Sequence, residues 1–150
     1  GVQWVERFAG ASPEVLRGVR YLERIVNNPN VPVFYRRGVA AELLRAEQRH
    51  RAGKLKGVEV QRGRDRVDFV LITDEVVEFK DWTRSYTERH IQHLANQLLR
   101  YQRMGLPLIL ELAQTQTDPI TKASIEWLLR ELRAAGVSIT RDRIRLIRLP

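Results

Sequence analysis

An α/β fold, with a mixed central sheet flanked by helices, is predicted by three observations. Segments of helical period alternate with β-branched runs in the order helix, helix, three strands, helix, strand, helix, strand. The first three strands follow one another as a meander, whereas each later strand is preceded by a helix, a pattern that mixes antiparallel and parallel pairs in one sheet. A length of 150 residues suits one domain with a single adequate core. Residues 1–35 read as a helical extension and 36–150 as the core.

The elements follow from local signals. Ser12-Pro13-Glu14 reads as an N-cap, a Pro at the first helical position and an acid near the positive end of the dipole. Val15, Val19, Leu22 and Val26 then recur at helical spacing, and NNPNVP, Asn27 to Pro32, ends that helix. A second helix is expected from Arg37 or Gly38 to about Arg51, closed by Gly53. GVEVQ, Gly57 to Gln61, is a short strand, and Arg62 to Asp65 a basic turn. Arg66 to Thr73 and Glu75 to Lys80 form a hairpin around Thr73-Asp74. A long helix runs from about Ser85 or Thr87 to Arg103, and the apolar run Gly105 to Ala113 reads as a buried strand. Pro119 introduces a helix to Ala135, closed by Gly136. The tail VSITRDRIRLIRLP, with Arg alternating between apolar residues, has the period of a half-buried strand.

Composition narrows the chemistry. Cysteine is absent, which excludes disulfides, thiolate metal sites and cysteine nucleophiles; with only three His, zinc is disfavoured. No apolar run approaches the ~20 residues that span a bilayer. The opening GVQWVERFAG lacks the apolar stretch of a signal peptide and an initiating Met, so we expect an excised domain or a processed product of a larger protein. The net charge is +8 and the pI about 10.6, carried mostly by Arg. Guanidinium forks match phosphate geometry, so a polyanionic partner is expected.

One segment concentrates charge where strands should be apolar: RVDFVLITDEVVEFKDW, Arg66 to Trp82. Residues two apart on a strand share a face, so Glu78 and Lys80 project together. A turn at about residues 73–75 pairs position 68 roughly with position 80 and brings Asp68 to the same place. Two neighbouring acids repel and raise one pKa unless a cation intervenes. A hard divalent ion such as magnesium, bound through oxygen, resolves the conflict. Lys80 is then placed to orient or help deprotonate a water that attacks a phosphodiester.

Asp68, nine intervening residues and Glu78-Phe79-Lys80 resemble the D…ExK signature of the PD-(D/E)xK nuclease superfamily. Val67 stands where the superfamily's name has Pro. The resemblance covers Gly38 to about Ala113 and implies an αβββαβ restriction-endonuclease-like core, here with extra N-terminal helices, which makes 36–150 the catalytic core. It implies magnesium or manganese as cofactor, with Asp68 and Glu78 as metal ligands and the Phe79 carbonyl as a further one. Glu42, four residues after Gly38 in GVAAELLRAEQ, is similarly placed to the helix acid of resolvase-like branches. On the helical wheel Glu42 lies at the edge of the apolar stripe of Val39, Ala40, Leu43 and Leu44, and Glu47 near its centre, so Glu47 competes for that role. Gln97 and Tyr101, four apart on one helical face, resemble the QxxxY motif of exonuclease branches, where the pair orients the lysine, the phosphate or the motif acid. His90 and His93, on the same side of that helix, read as exposed surface.

Lys54, Lys56, Arg62, Arg64 and Arg84 are expected to contact the nucleic-acid backbone, with Arg36 and Arg37 beside them, and Trp82 to stack on a base or pack at the strand end. The activity implied is metal-dependent hydrolysis of DNA or RNA phosphodiesters. A small, basic, Cys-free nuclease domain also resembles the effector domains of bacterial polymorphic or contact-dependent toxins, acting in a target-cell cytoplasm and blocked by an immunity protein. A resolvase or repair nuclease, a non-catalytic nucleic-acid-binding module on the same fold, and a basic protein-interaction domain are the alternatives.

Overall fold

The computed structural model describes residues 3–81, 88–114 and 120–149. A 3₁₀ turn, Val5–Phe8, precedes α1 (Pro13–Val26) and α2 (Val33–Arg51). The meander β1 (Leu55–Arg62), β2 (Asp65–Leu71) and β3 (Val76–Asp81) follows, then α3 (Glu88–Arg103), β4 (Leu108–Gln114), α4 (Lys122–Ala134), a 3₁₀ turn at Arg141–Arg143 and β5 (Ile144–Arg148). The five strands form one sheet in the order β1-β2-β3-β4-β5. β1, β2 and β3 pair antiparallel, whereas β3–β4 and β4–β5 are parallel, joined across α3 and α4. The segment from α2 to β4 is the expected αβββαβ order, and the whole is a mixed α/β sheet flanked by helices, consistent with a restriction-endonuclease-like core. Among the described residues, no helix is long and apolar enough to cross a membrane.

Each face of the sheet has its own core. α3 and α4 cover one face with Ile91, Leu94, Leu98, Leu128 and Leu132 against Val76, Leu110 and Leu112. α1 and α2 cover the other with Val15, Val19, Leu22 and Leu43 against Val58, Phe69, Val77 and Ile109. β3 and β4 are buried on both sides, which is why their sequences lack a clean polar alternation.

α1 begins as its residues dictate: the Ser12 hydroxyl accepts from the Val15 N–H at 3.3 Å, with Pro13 at the first helical position. α2 begins at Val33, four residues before the expected Arg37. No side chain caps it; Pro32, at φ −53°, leads straight into the helix. Its first turn, Val33-Phe34-Tyr35, is solvent-exposed and apolar, so it breaks the amphipathic period that marks a helix in sequence. α4 starts at Lys122 with Thr121 as its cap; the expected start at Pro119 and the expected α3 start at Ser85 or Thr87 lie outside the described residues.

α1 lies so close to β1 that Gly18 is required. A Cβ there would sit 1.9 Å from the Val58 carbonyl oxygen, a backbone atom that cannot swing aside. We expect Gly18→Ala to destabilise the fold by about 3 kcal/mol, measured by urea denaturation; an unchanged midpoint would refute this packing.

Candidate metal centre

The β2–β3 hairpin turns through Ile72, Thr73 and Asp74, with the Leu71 N–H donating to the Glu75 carbonyl at 2.9 Å and Asp74 at φ +68°. Its register is Val70↔Val76 and Phe69↔Val77. Continued one rung, it sets Asp68 opposite Glu78, two residues short of the expected partner Lys80. Among the described residues the ladder ends at that point, and the Asp68 side chain takes the place of a strand partner: Oδ2 accepts the Phe79 N–H at 2.7 Å.

Glu78 is 2% exposed and turned toward α3. Lys80 Nζ lies 3.2 Å from Glu78 Oε1, and Tyr101 Oη is 3.3 Å from Oε2. Gln97 Nε2 donates to Tyr101 Oη at 3.1 Å, so both QxxxY residues reach the motif acid, Gln97 through Tyr101. Tyr101 Oη also lies 3.2 Å from the Arg66 carbonyl. A phenol has one proton, so Tyr101 donates to Glu78 or to Arg66 at any instant. Gln97 Oε1 is buried without a hydrogen-bond partner.

The close acidic cluster comprises Glu42, Glu59 and Asp68, which offer carboxylate oxygens within 4.8 Å of one another. Glu42 is on α2, 8% exposed, and its Oε2 is buried without a hydrogen-bond partner. Glu47, its competitor, points elsewhere, to Arg51 at 3.3 Å and Arg7 at 3.6 Å. Glu78 stands beside the triad rather than in it.

Glu59 is the member that sequence reasoning missed. Its backbone has φ +50°, a strained conformation for a residue with a side chain. The consequence is visible in the packing. Val58 belongs to the α1/α2 core while Val60 packs against the α3/α4 core, although a regular strand would put both on one face. Val67 and Phe69 on β2 are split in the same way. The ribbon of β1 and β2 therefore turns over at Glu59 and Asp68, and both acids leave the regular alternation there. A signal existed: Arg62 pairs with Asp65 across the two-residue turn Gly63-Arg64, and counting back three rungs sets Glu59 opposite Asp68.

The electrostatics of the cluster are set by burial and by the mutual repulsion of its carboxylates. Burial pushes the Asp68 carboxyl up to about 8; Glu59 adds to this, and Lys80 and the Phe79 N–H oppose it. Burial and the nearby Asp68 likewise push Glu78 up to about 8, against Lys80 and Tyr101. Burial raises Glu42 well above the usual carboxylate range, and Glu59 also rises. Without a cation Asp68 and Glu78 keep protons at neutral pH. An orphaned buried oxygen and hard carboxylate donors fit a divalent metal such as Mg²⁺ or Mn²⁺.

The sign of the linkage follows. Between about pH 4 and 8 the unfolded chain has released protons that folded Asp68 and Glu78 still hold, so metal-free stability falls as pH rises through that window. We expect Asp68→Asn, which keeps an acceptor for the Phe79 N–H, to flatten this loss. At pH 8 in chelator it should be more stable than wild type by about 1–3 kcal/mol. Added Mg²⁺ should stabilise the wild type and not the variant. Urea titrations across pH check this; an unchanged slope counts against Asp68 holding a proton in the folded, metal-free chain.

The cluster lies at the wall of a cleft of about 660 Å³ between the α1/α2 layer and α3. Phe79, Lys80 and Asp81 contribute from β3, and Arg89, His90 and His93 from α3. His90 and His93, set aside from sequence, thus line the cavity. Lys54, Lys56, Arg62 and Arg64 do not: Lys56 pairs with Asp74 at 2.6 Å, and Arg62 donates to the Gln61 carbonyl at 3.0 Å. Trp82 and Arg84 lie outside the described residues.

No protein-family model and no curated protein matches this chain. Among solved structures it is similar to SfsA of Pyrococcus furiosus, solved in complex with Ca²⁺. The identity is 14% and the TM-score 0.41, over 73% of this chain and 54% of that one. The match thus spans about half of SfsA's length.

Proposed function

We propose that this chain is a divalent-metal-dependent nuclease that hydrolyses phosphodiester bonds of DNA or RNA. The observation that carries the reading is the cluster of Glu42, Glu59 and Asp68 at the wall of an open cleft, with Lys80 in the same wall and paired to Glu78. Asp68, Glu42 and Glu59 would hold the cation, and Glu78, beside that triad, and the Phe79 carbonyl would be its further ligands. When bound, a divalent ion supplies charge that lets these acids ionise together, and Lewis acidity toward water and phosphoryl oxygen. Lys80 holds the attacking water against the phosphorus. Tyr101, braced by Gln97, keeps the Glu78 carboxylate turned to Lys80. The net charge of +8 draws the polyanion in.

The finer role we assign is the effector domain of a bacterial toxin acting in a target cell and held in check by an immunity protein. Small size, basic charge and absence of cysteine support it.

The test is incubation with plasmid DNA and total RNA, with Mg²⁺ or with chelator, comparing wild type and Glu78→Gln. Metal-dependent cleavage lost in the variant is expected. Binding without cleavage would favour a non-catalytic module, and cleavage unchanged in Glu78→Gln would refute the site.

A further inference from the structure

We propose that Arg66, held over the ring face of Tyr21, binds a backbone phosphate of the substrate next to the one that reacts. The proposal rests on the nuclease reading for its ligand class, and it adds a binding residue outside the metal centre.

The local structure fixes where Arg66 points. Val67 packs into the α3/α4 core, so its neighbour Arg66 projects to the opposite face of β2, where α1 lies. There its guanidinium carbon is 4.2 Å from the centre of the Tyr21 ring. Tyr21 is itself partly buried against the α1/α2 core, so the ring is a fixed platform. A ring face attracts a cation without accepting any of its N–H donors in a strong hydrogen bond. Arg66 is exposed, and no acid of the described residues pairs with it. Other cations nearby are spent: Lys56 on Asp74, Arg100 on Asp65, Arg45 and Arg49 on Glu111.

The position is the edge of the acidic cluster. Leu22 and Ile25 of α1 line the cleft, and Tyr21 stands beside Leu22 and one turn before Ile25. Arg66 pairs with Gln61 across the β1–β2 ladder, which sets it diagonal to Glu59. Burial raises the Glu59 carboxyl, and the Arg66 charge is close enough to oppose that rise. The Arg66 carbonyl lies 3.2 Å from Tyr101 Oη, the same hydroxyl that reaches Glu78. A cation held this close to three carboxylates, yet paired with none, suits an anion that arrives with the metal. The reacting phosphate lies at the acids, and the next phosphate along the strand meets the guanidinium fork. That fork matches two phosphate oxygens at once.

The experiment measures binding, so that it does not depend on cleavage. In the Glu78→Gln background with Mg²⁺, fluorescence anisotropy is read for labelled single-stranded and duplex DNA and RNA over a range of NaCl concentrations. Adding Arg66→Met should weaken binding of the preferred oligonucleotide by about 10-fold. It should also reduce the slope of log affinity against log salt by about 0.7–1. Tyr21→Leu should reproduce part of the loss and add nothing in the Arg66→Met background, whereas Tyr21→Phe should retain binding. Arg130→Met, which removes an exposed cation from α4 on the other side of the sheet, controls for net charge and should move neither reading. Affinity and slope unchanged in Arg66→Met, or an equal loss in Arg130→Met, overturns the proposal. A loss that vanishes at saturating Mg²⁺ with the slope unmoved also overturns it, since Arg66 would then only balance the acids. Absence of cleavage by the wild-type chain, with Arg66-dependent binding intact, would refute the nuclease reading alone.

Discussion

Lys80→Met should lower the rate of metal-dependent phosphodiester cleavage by about 10²- to 10⁴-fold, the span typical of a residue that aligns water and proton at the reacting centre. The requirement for metal should remain, because the Lys80 side chain carries no metal-binding oxygen. A second readout separates this from simple misfolding. The Lys80 charge opposes the upward push on Asp68 and Glu78. Removing it lets both carboxyls rise further, so the acid limb of the pH–rate profile should move to higher pH. Initial rates on a labelled oligonucleotide across pH and Mg²⁺ concentration check both. A profile unmoved in pH would mean that Lys80 does not share the field of the two acids.

Glu111→Gln should cost about 3–5 kcal/mol of stability. Glu111 is central in β4 and 1% exposed. Its carboxylate accepts from Arg45 Nε at 3.2 Å and Nη2 at 3.0 Å, from Arg49 Nη1 at 2.7 Å, and from Arg49 Nη2. Burial pushes this carboxyl up, but the two guanidinium groups outweigh it and hold it below the usual range. Removing the charge would leave two cations facing each other at the base of α2, Arg49 nearly fully buried. A melting temperature lower by roughly 10 °C is expected. Arg49→Met combined with Glu111→Leu should recover much of that loss, since well-packed apolar residues often replace a buried ion pair without penalty. The clamp also fixes α2 on the sheet, and with it Glu42, so Glu111→Gln should weaken Mg²⁺ stabilisation as well. Thermal melts with and without Mg²⁺ measure both.

The order of elements was legible because each sheet-forming run is short, β-branched and bounded by turn residues, and because Ser12-Pro13 marks α1 plainly. The start of α2 was not, since exposed Val33-Phe34-Tyr35 serves no core and breaks the helical period. At the site, Asp68, Glu78 and Lys80 could be grouped from strand alternation and one hairpin. The strand-period rule then failed at the residue that matters next to them. Glu59 leaves its strand's alternation through a positive φ, and no residue-type pattern announces that conformation for a glutamate. The helical wheel put Glu47 nearer the centre of the apolar stripe than Glu42, yet both are buried to the same degree, so the wheel could not decide between them. What separates them is the charge of their neighbours: Glu47 pairs with Arg7 and Arg51, whereas Glu42 faces the carboxylates Glu59 and Asp68. The Glu111 clamp was invisible for a related reason, since its partners lie 62 and 66 residues away on another element.

Among the described residues β5 is one of the two outer strands of the sheet, and no strand of those residues lies on its far side. Such an edge invites a second chain to pair and grow a fibre-like stack. Arg145 and Arg148 punctuate this strand, and two copies brought edge to edge in register would set like charges against each other. Arginines that read in sequence as the outward face of an ordinary half-buried strand are thus expected also to oppose pairing of this edge with a second copy.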